Sequence, residues 1–175
     1  MVFGAGLLAL GILCFLAWGS LPHAVAYSQL FSDEKAWVES QVTLPPYPKP
    51  QNLLQFDPGL KTGSRYHIDP ESITTGSDGV VRYTLVVRGA GGAENVSYEG
   101  MRCMTLEVTA YAYGQRNATW SNLRSSEWRR FDTQVPNIHR VLYWDYFCPD
   151  RSRWGSSPKE AVARFRKGVP SREPI

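Results

Sequence analysis

Apolar and polar residues alternate along two stretches in the middle of the chain, and a period of two predicts half-buried β-strands. The stretches cover residues 80–88 and 104–113. In the first, Val81, Tyr83, Leu85 and Val87 share one face, and Arg82, Thr84 and Arg88 share the other. We therefore expect a sheet with one face turned towards a core.

Turn residues separate further short strands. We predict strands at residues 53–56, at 65–68 (ending at Asp69-Pro70), at 94–103 and at 127–131. The glycines at 89, 91 and 92 predict a hairpin loop, because a phosphate-binding loop would need a helix directly behind it. The spacing indicates a meander of antiparallel strands joined by short turns.

Helical spacing appears towards both ends of the chain. Asn137 caps a predicted helix that runs through Cys148, and a short second helix begins at Ser156-Ser157 with Pro158 in its first turn. Residues 28–42 also predict a helix, with Ser32 as N-cap, before a proline-rich extended connector at 44–50. The predicted fold is α+β: an antiparallel meander packed against a C-terminal helix.

The first 26 residues contain no Asp, Glu, Lys or Arg, and their apolar centre followed by Ala24-Val25-Ala26 predicts a cleaved signal peptide. Two alternatives stay open: a lipoprotein with Cys14 as acceptor, and an uncleaved membrane anchor, since residues 2–21 approach the ~20 residues that span a bilayer. All three predict export, to the periplasm or an outer-membrane-associated part of the cell envelope.

These features divide the chain into four predicted regions. Residues 1–26 form the signal peptide, and residues 27–52 form the N-terminal helix and its proline-rich connector. Residues 53–168 form a single α+β domain, and residues 169–175 form a disordered tail.

Removal of the leader would leave two cysteines, Cys103 after a predicted strand and Cys148 at the end of a predicted helix. An even pair in an exported protein predicts a structural disulfide, here between sheet and helix. The chain has no paired histidines that would complete a metal site with these cysteines, and it has no Cys-x-x-Cys motif for redox catalysis. We expect no cofactor and no metal.

The formal net charge of +3 is too mild to predict nucleic-acid binding. Basic residues are nevertheless frequent in the last third of the chain: Arg129, Arg130, Arg140, Arg151, Arg153, Arg164, Arg166 and Lys167. On one face they would meet an acidic partner protein, an acidic polysaccharide or anionic lipid. The alternative is a solvated surface on which neighbouring acids balance them.

No set of residues has a convincing catalytic pattern, so we expect a non-catalytic binding module. The enzymatic alternative is a hydrolase with His67, near Asp69 and Glu71, or His139, beside Arg140, as general base. A third hypothesis is a structural component of an envelope assembly, held through an open sheet edge.

Several segments of the chain resemble the CNP1-like family of exported Gram-negative bacterial proteins. They are residues 78–88 and 94–103, preceded by Leu44-Pro45-Pro46-Tyr47-Pro48 and followed by Trp128-Arg129 and Tyr146-Phe147-Cys148-Pro149. The likeness covers about two-thirds of the chain in order and places both cysteines in matching blocks. The resemblance implies no particular biochemical activity.

A looser similarity links the chain to the surface-adhesin protein E family, through Asp69-Pro70, the hairpin strands, Ser126-Glu127-Trp128-Arg129 and a cysteine on the closing helix. This similarity implies an antiparallel sheet packed on a helix and stapled by one disulfide. It also allows a role in binding host or envelope macromolecules, without assigning that role to particular residues.

Overall fold

An antiparallel sheet organises the part of the chain that the structure, a computed structural model, describes: residues 36–123, 126–135, 137–149 and 155–168. Its strands are β1 (Leu54–Phe56), β2 (Arg65–Thr75), β3 (Val80–Arg88), β4 (Glu94–Arg102), β5 (Glu107–Gly114), β6 (Trp120–Asn122) and β7 (Arg129–Arg130). Strands β1 to β6 pair in chain order, and β7 pairs with the same edge of β5 as β6. The predicted meander is confirmed, and β6 is a strand that the residue pattern did not predict.

The helices follow the sheet in the chain. A short α-helix, α1 (Ile138–Val141), continues directly into a π-helix (Leu142–Phe147), and α2 (Pro158–Lys167) comes last; a 3₁₀ turn (Pro50–Asn52) precedes β1. The Asn137 side chain accepts a hydrogen bond from the Arg140 amide at 2.9 Å, as expected for the predicted cap. Ser157 and Glu160 form a reciprocal capping box at the start of α2.

One face of the sheet, which we call the helix face, carries the main hydrophobic core. Strand residues such as Val81, Tyr83 and Met101 are fully buried there against the π-helix and α2. Rings dominate the contact: Tyr83 stacks on Phe147 at 4.6 Å between centroids, and Tyr146 stacks on Phe165 of α2 at 3.9 Å. Burial of such large rings stabilises the helix layer more than any single polar contact does.

A disulfide joins this sheet to its helix layer. Cys103 follows β4 and Cys148 follows the π-helix, and their Cα atoms lie 5.7 Å apart. Both cysteines are buried. The backbone of Gly155, with a φ of 64°, passes close to the bridge and to Val81, since a β-carbon at this position would lie 3.1 Å from Cys103 Sγ and 2.7 Å from Val81. The predicted sheet-to-helix bridge is confirmed.

The opposite face, which we call the strap face, is covered by residues 37–49, which we call the strap. The predicted helix over residues 28–42 is absent from its described part, residues 36–42, which have no regular secondary structure. The physical reason is that Trp37, Glu39 and Ser40 bind groups of the sheet, while the prolines from Pro45 onward prevent a helical continuation.

Strand β2 continues beyond Asp69-Pro70, where the residue pattern predicted its end. Its pairing with β3 shifts register between Asp69 and Thr74, so Pro70 lies in an irregular segment. Strand β1 pairs only with residues 66–68, which leaves the other edge of β2 open at Pro70. A proline without an N–H group is tolerated at such a place because no ladder hydrogen bond is lost.

Several predictions concern residues outside the described part of the chain. They are the signal peptide at 1–26, the helix start at Ser32, the residues Arg151 and Arg153, and the tail at 169–175. Among the described residues, no helix has the length and apolar character needed to cross a membrane.

Candidate functional site

Glu99 is a buried carboxylate on the helix face, and it contacts three polar side chains. It lies in the middle of β4, is 9% exposed and is paired across the sheet with Tyr83. Tyr83 Oη donates to Glu99 Oε2 at 2.9 Å, and Ser97 Oγ donates to Oε1 at 2.6 Å. His139 Nε2 of α1 lies 3.0 Å from Oε2.

These partners keep Glu99 ionised inside the core. Burial acts to raise the pKa of Glu99, but hydrogen bonds and charge from His139, then Ser97 and Tyr83, outweigh burial and lower it below its ordinary value. Burial and the adjacent Glu99 raise the pKa of Tyr83, so its hydroxyl remains a donor. A carboxylate fixed in this way orients the imidazole of His139, the arrangement that general bases use.

The two histidines considered as bases lie on opposite faces of the sheet. His139 contacts Glu99 on the helix face, with a quarter of its side chain exposed. His67 pairs with Val86 on the strap face and is buried. Burial and the nearby Arg88 lower the pKa of His67, and its Nδ1 has no hydrogen-bond partner among the described residues. The two histidines therefore cannot serve one active site.

A second polar cluster connects the strap to the sheet. Glu39 accepts hydrogen bonds from Tyr111 Oη at 2.6 Å and from Trp128 Nε1 at 3.2 Å, and Arg82 lies 3.5 Å away. Arg82 in turn forms a 2.6 Å ion pair with Asp78, whose side chain is only 1% exposed. Asp78 also accepts the Ser40 amide of the strap at 2.8 Å.

Asp78 is held in its charged form by this cluster. Burial alone would raise its pKa, but the Arg82 guanidinium and the amides of Ser40 and Val80 lower it to about 2. Burial acts to lower the pKa of Arg82, and Asp78 more than compensates, so its pKa is raised. The charges of Asp78 and Arg82 are thus fixed across the physiological range.

The described basic residues of the predicted patch fall into separate groups. Arg129 and Arg130 form β7 at one edge of the sheet, whereas Arg164, Arg166 and Lys167 belong to α2, which packs against β1 and β2. Four strand spacings separate β7 from β2, roughly 19 Å. Arg140 lies on α1, and Arg164 donates to Tyr146 O at 3.2 Å and to Ser156.

The cluster around Glu99 and the strap contacts were not predicted from the residues. A signal for Glu99 exists in the sequence, because Ser97, Glu99 and Met101 are two positions apart and therefore share the face of β4 that is turned towards the core. The strap contacts join residues far apart in sequence, such as Glu39 and Trp128, and have no local signal. No three His, Cys, Asp or Glu side chains within the described ranges lie close enough to hold a metal ion.

The sequence model of the CNP1-like family matches residues 32–166, which include every strand, both cysteines and α1. The chain belongs to the CNP1-like family. No curated protein and no solved structure matches it. The matched residues include the strap as well as the sheet. The family assignment specifies no reaction, substrate or partner.

Proposed function

We propose that this CNP1-like protein is a non-catalytic, exported module that binds an anionic partner of the cell envelope. The observation that carries the proposal is the outer face of α2. Lys159, Arg166 and Lys167 are exposed on one side of the helix, opposite the buried Ala161 and Phe165. Among the described residues, none of these three cations forms an ion pair.

The amphipathic character of α2 supports such a partner. Its first-turn acid, Glu160, is engaged by Ser157 in the capping box. Val162 and Arg166 line a groove of about 310 Å³ with Glu71, and the Glu71 carboxylate accepts a hydrogen bond from Asn52. A basic face beside apolar side chains suits an anionic lipid headgroup, an acidic polysaccharide or an acidic protein surface.

The arginines of β7 are a weaker candidate for the same role. Neighbouring residues of a strand project to opposite faces, so Arg129 and Arg130 do not present their charges together. Arg130 is also paired across the ladder with Glu107, which forms a 2.7 Å ion pair with Arg102. The β7 pair therefore provides a control for the α2 face, with two cations removed instead of three.

The experiment compares two alanine variants of the full chain, Lys159→Ala/Arg166→Ala/Lys167→Ala and Arg129→Ala/Arg130→Ala. Co-sedimentation with anionic phospholipid vesicles and retention on an acidic-polysaccharide resin are measured for each. We expect the α2 variant to lose most binding to one of the two probes, and the β7 variant to keep it. Equal binding by wild type and the α2 variant would reject this function.

One observation favours a second function, hydrolysis with His139 as general base: the hydrogen bond that orients its ring on Glu99. The test measures ester, amide and glycoside hydrolysis by wild type, His139→Ala and His67→Ala. A hydrolase of this type would lose activity with His139→Ala and keep it with His67→Ala. Absence of turnover in the wild type, or activity that survives His139→Ala, counts against it.

A further inference from the structure

The strap binds the sheet as an extended peptide ligand would. Within the described ranges, no backbone-to-backbone hydrogen bond joins residues 37–48 to a strand. The contacts instead use side chains of the strap. The indole of Trp37 donates to Asp78 O at 2.9 Å, and the Glu39 carboxylate contacts Arg82, Tyr111 and Trp128. The intervening Val38 points away and is 73% exposed.

The groups that bind Glu39 lie on β3, on β5 and directly before β7. Arg82 is fixed by Asp78, as described above. Tyr111 occupies the space over Gly100, where a β-carbon would collide with its ring. Trp128 packs edge-on against Tyr111 with 6.4 Å between ring centroids. Three donors therefore converge on one point, which forms a receptor for a carboxylate.

A second receptor holds the tryptophan. The Arg102 guanidinium lies 3.8 Å from the centre of the Trp37 ring, and Trp128 packs edge-on against it at 5.8 Å. In an extended segment, residues two positions apart lie on the same side, so Trp37 and Glu39 reach both receptors together. The sheet thus recognises a Trp-x-Glu pattern in an extended chain.

We propose that this surface is a peptide-binding site for an extended Trp-x-Glu segment, and that residues 37–49 of a second copy of the chain can occupy it by exchange. A second copy is the partner that carries the complete matching pattern. A short connection, residues 50–53 with the 3₁₀ turn Pro50–Asn52, joins the strap to β1 and is the hinge at which straps can exchange between two copies. Exchange produces a two-fold dimer in which each sheet holds the strap of its partner.

A labelled peptide of residues 36–49 tests the site in the full chain. The variant Trp37→Ala/Glu39→Ala keeps both receptors and lacks the two side chains that fill them, so we expect the peptide to displace its weakened strap and bind. The wild type, whose own strap competes, should bind at least about tenfold more weakly, and a peptide with Glu39→Gln should lose about tenfold in affinity. Two results would overturn the proposal: equal binding of both peptides, or no peptide binding by a variant whose circular dichroism spectrum shows that it is folded.

A second measurement does not depend on that variant folding. Wild-type chains with light and heavy isotopes are unfolded in urea, mixed and refolded at high concentration, and their masses are measured under native conditions. We expect mixed dimers, and fewer of them when both copies carry Glu39→Gln. Monomers alone, or dimers unaffected by Glu39→Gln, would reject strap exchange.

Discussion

Asp78 joins β3 to the strap through one carboxylate. It forms the ion pair with Arg82 of β3, accepts the Val80 amide at 3.1 Å and accepts the Ser40 amide of the strap. A buried carboxylate is stable only when such partners replace its hydration. Removing its charge would leave Arg82 buried beside the strap with one anionic neighbour fewer.

We predict that Asp78→Asn destabilises the fold and flattens its acid response. Because the folded pKa is depressed from 3.8 to about 2, the contribution of Asp78 is complete above pH 4 and is lost as pH falls through 2. The shift corresponds to about 2 kcal/mol. Urea unfolding between pH 7 and pH 2 measures it, with Asp57→Asn in an exposed turn as control. A variant curve parallel to wild type below pH 4 would contradict the prediction.

Gly100 matters through the space that it leaves on the strap face. Because a β-carbon at this position would collide with the Tyr111 ring, Gly100→Ala should displace Tyr111 from Glu39 and cost about 1–3 kcal/mol of unfolding free energy. Gly91→Ala is the matched control, since nothing lies within 4 Å of its added β-carbon. Thermal unfolding of both variants provides the measurement. Equal stabilities would show that the sheet relaxes around the added methyl.

At the scale of elements, the helix layer depends on packing and on the disulfide more than on helix length. Four residues in α1 and six in the π-helix are too few to be stable alone. Rings from Tyr143, Tyr146 and Phe147 are buried against the sheet, and Cys148, which follows the π-helix, is bonded to Cys103. His139 adds a polar contact through Glu99 at the start of the layer.

We predict that Cys103→Ala/Cys148→Ala lowers the free energy of unfolding by about 2–4 kcal/mol, because the bridge closes a loop whose ends are 45 residues apart. Urea unfolding of wild type with and without reductant, beside the double variant, measures the effect. Reduced wild type should resemble the variant. A wild-type midpoint that does not change with reductant would show that the bond adds no stability.

At the scale of the whole molecule, the sheet is covered on both faces by unlike layers. The helix face is covered by aromatic packing, and the strap face by a segment that contacts buried polar side chains. Within the predicted patch, the exposed cations Arg166 and Lys167 lie on α2, over the β1–β2 side, and the exposed Arg129 and Arg130 lie on β7 at the opposite edge.

We predict that the wild type binds its anionic probe, vesicle or polysaccharide, more weakly as the salt concentration rises, because exposed charges are screened within ~10 Å at 0.1 M salt. The dependence of log affinity on log salt should become shallower with Lys159→Ala/Arg166→Ala/Lys167→Ala and stay unchanged with Arg129→Ala/Arg130→Ala. Titration over a salt series measures both slopes. Salt-independent binding would exclude an electrostatic contact on α2.

The amino-acid sequence by itself determined β3, β4, the part of β5 from Glu107 to Tyr113, the Asn137 and Ser157 caps and the pairing of Cys103 with Cys148. The predicted start of the last of these strands at Met104 was wrong, because residues 103–106 form a turn before β5. The cysteine pairing follows from the number of cysteines, since only two lie beyond the predicted leader. The strands and caps rest instead on local rules, because alternation, turns and caps involve residues close together in the chain. The same rules assigned Arg82 and Thr84 to a polar face, although both are buried.

Only the tertiary structure decided what covers that polar face. The strap has no periodic pattern, and its partners Asp78, Tyr111 and Trp128 lie tens of residues away in the chain, so no local signal joins them. The same holds for Glu99 and His139, which are 40 residues apart. Long-range side-chain contacts form because the folded sheet brings these groups together, and the candidate sites consist of such contacts.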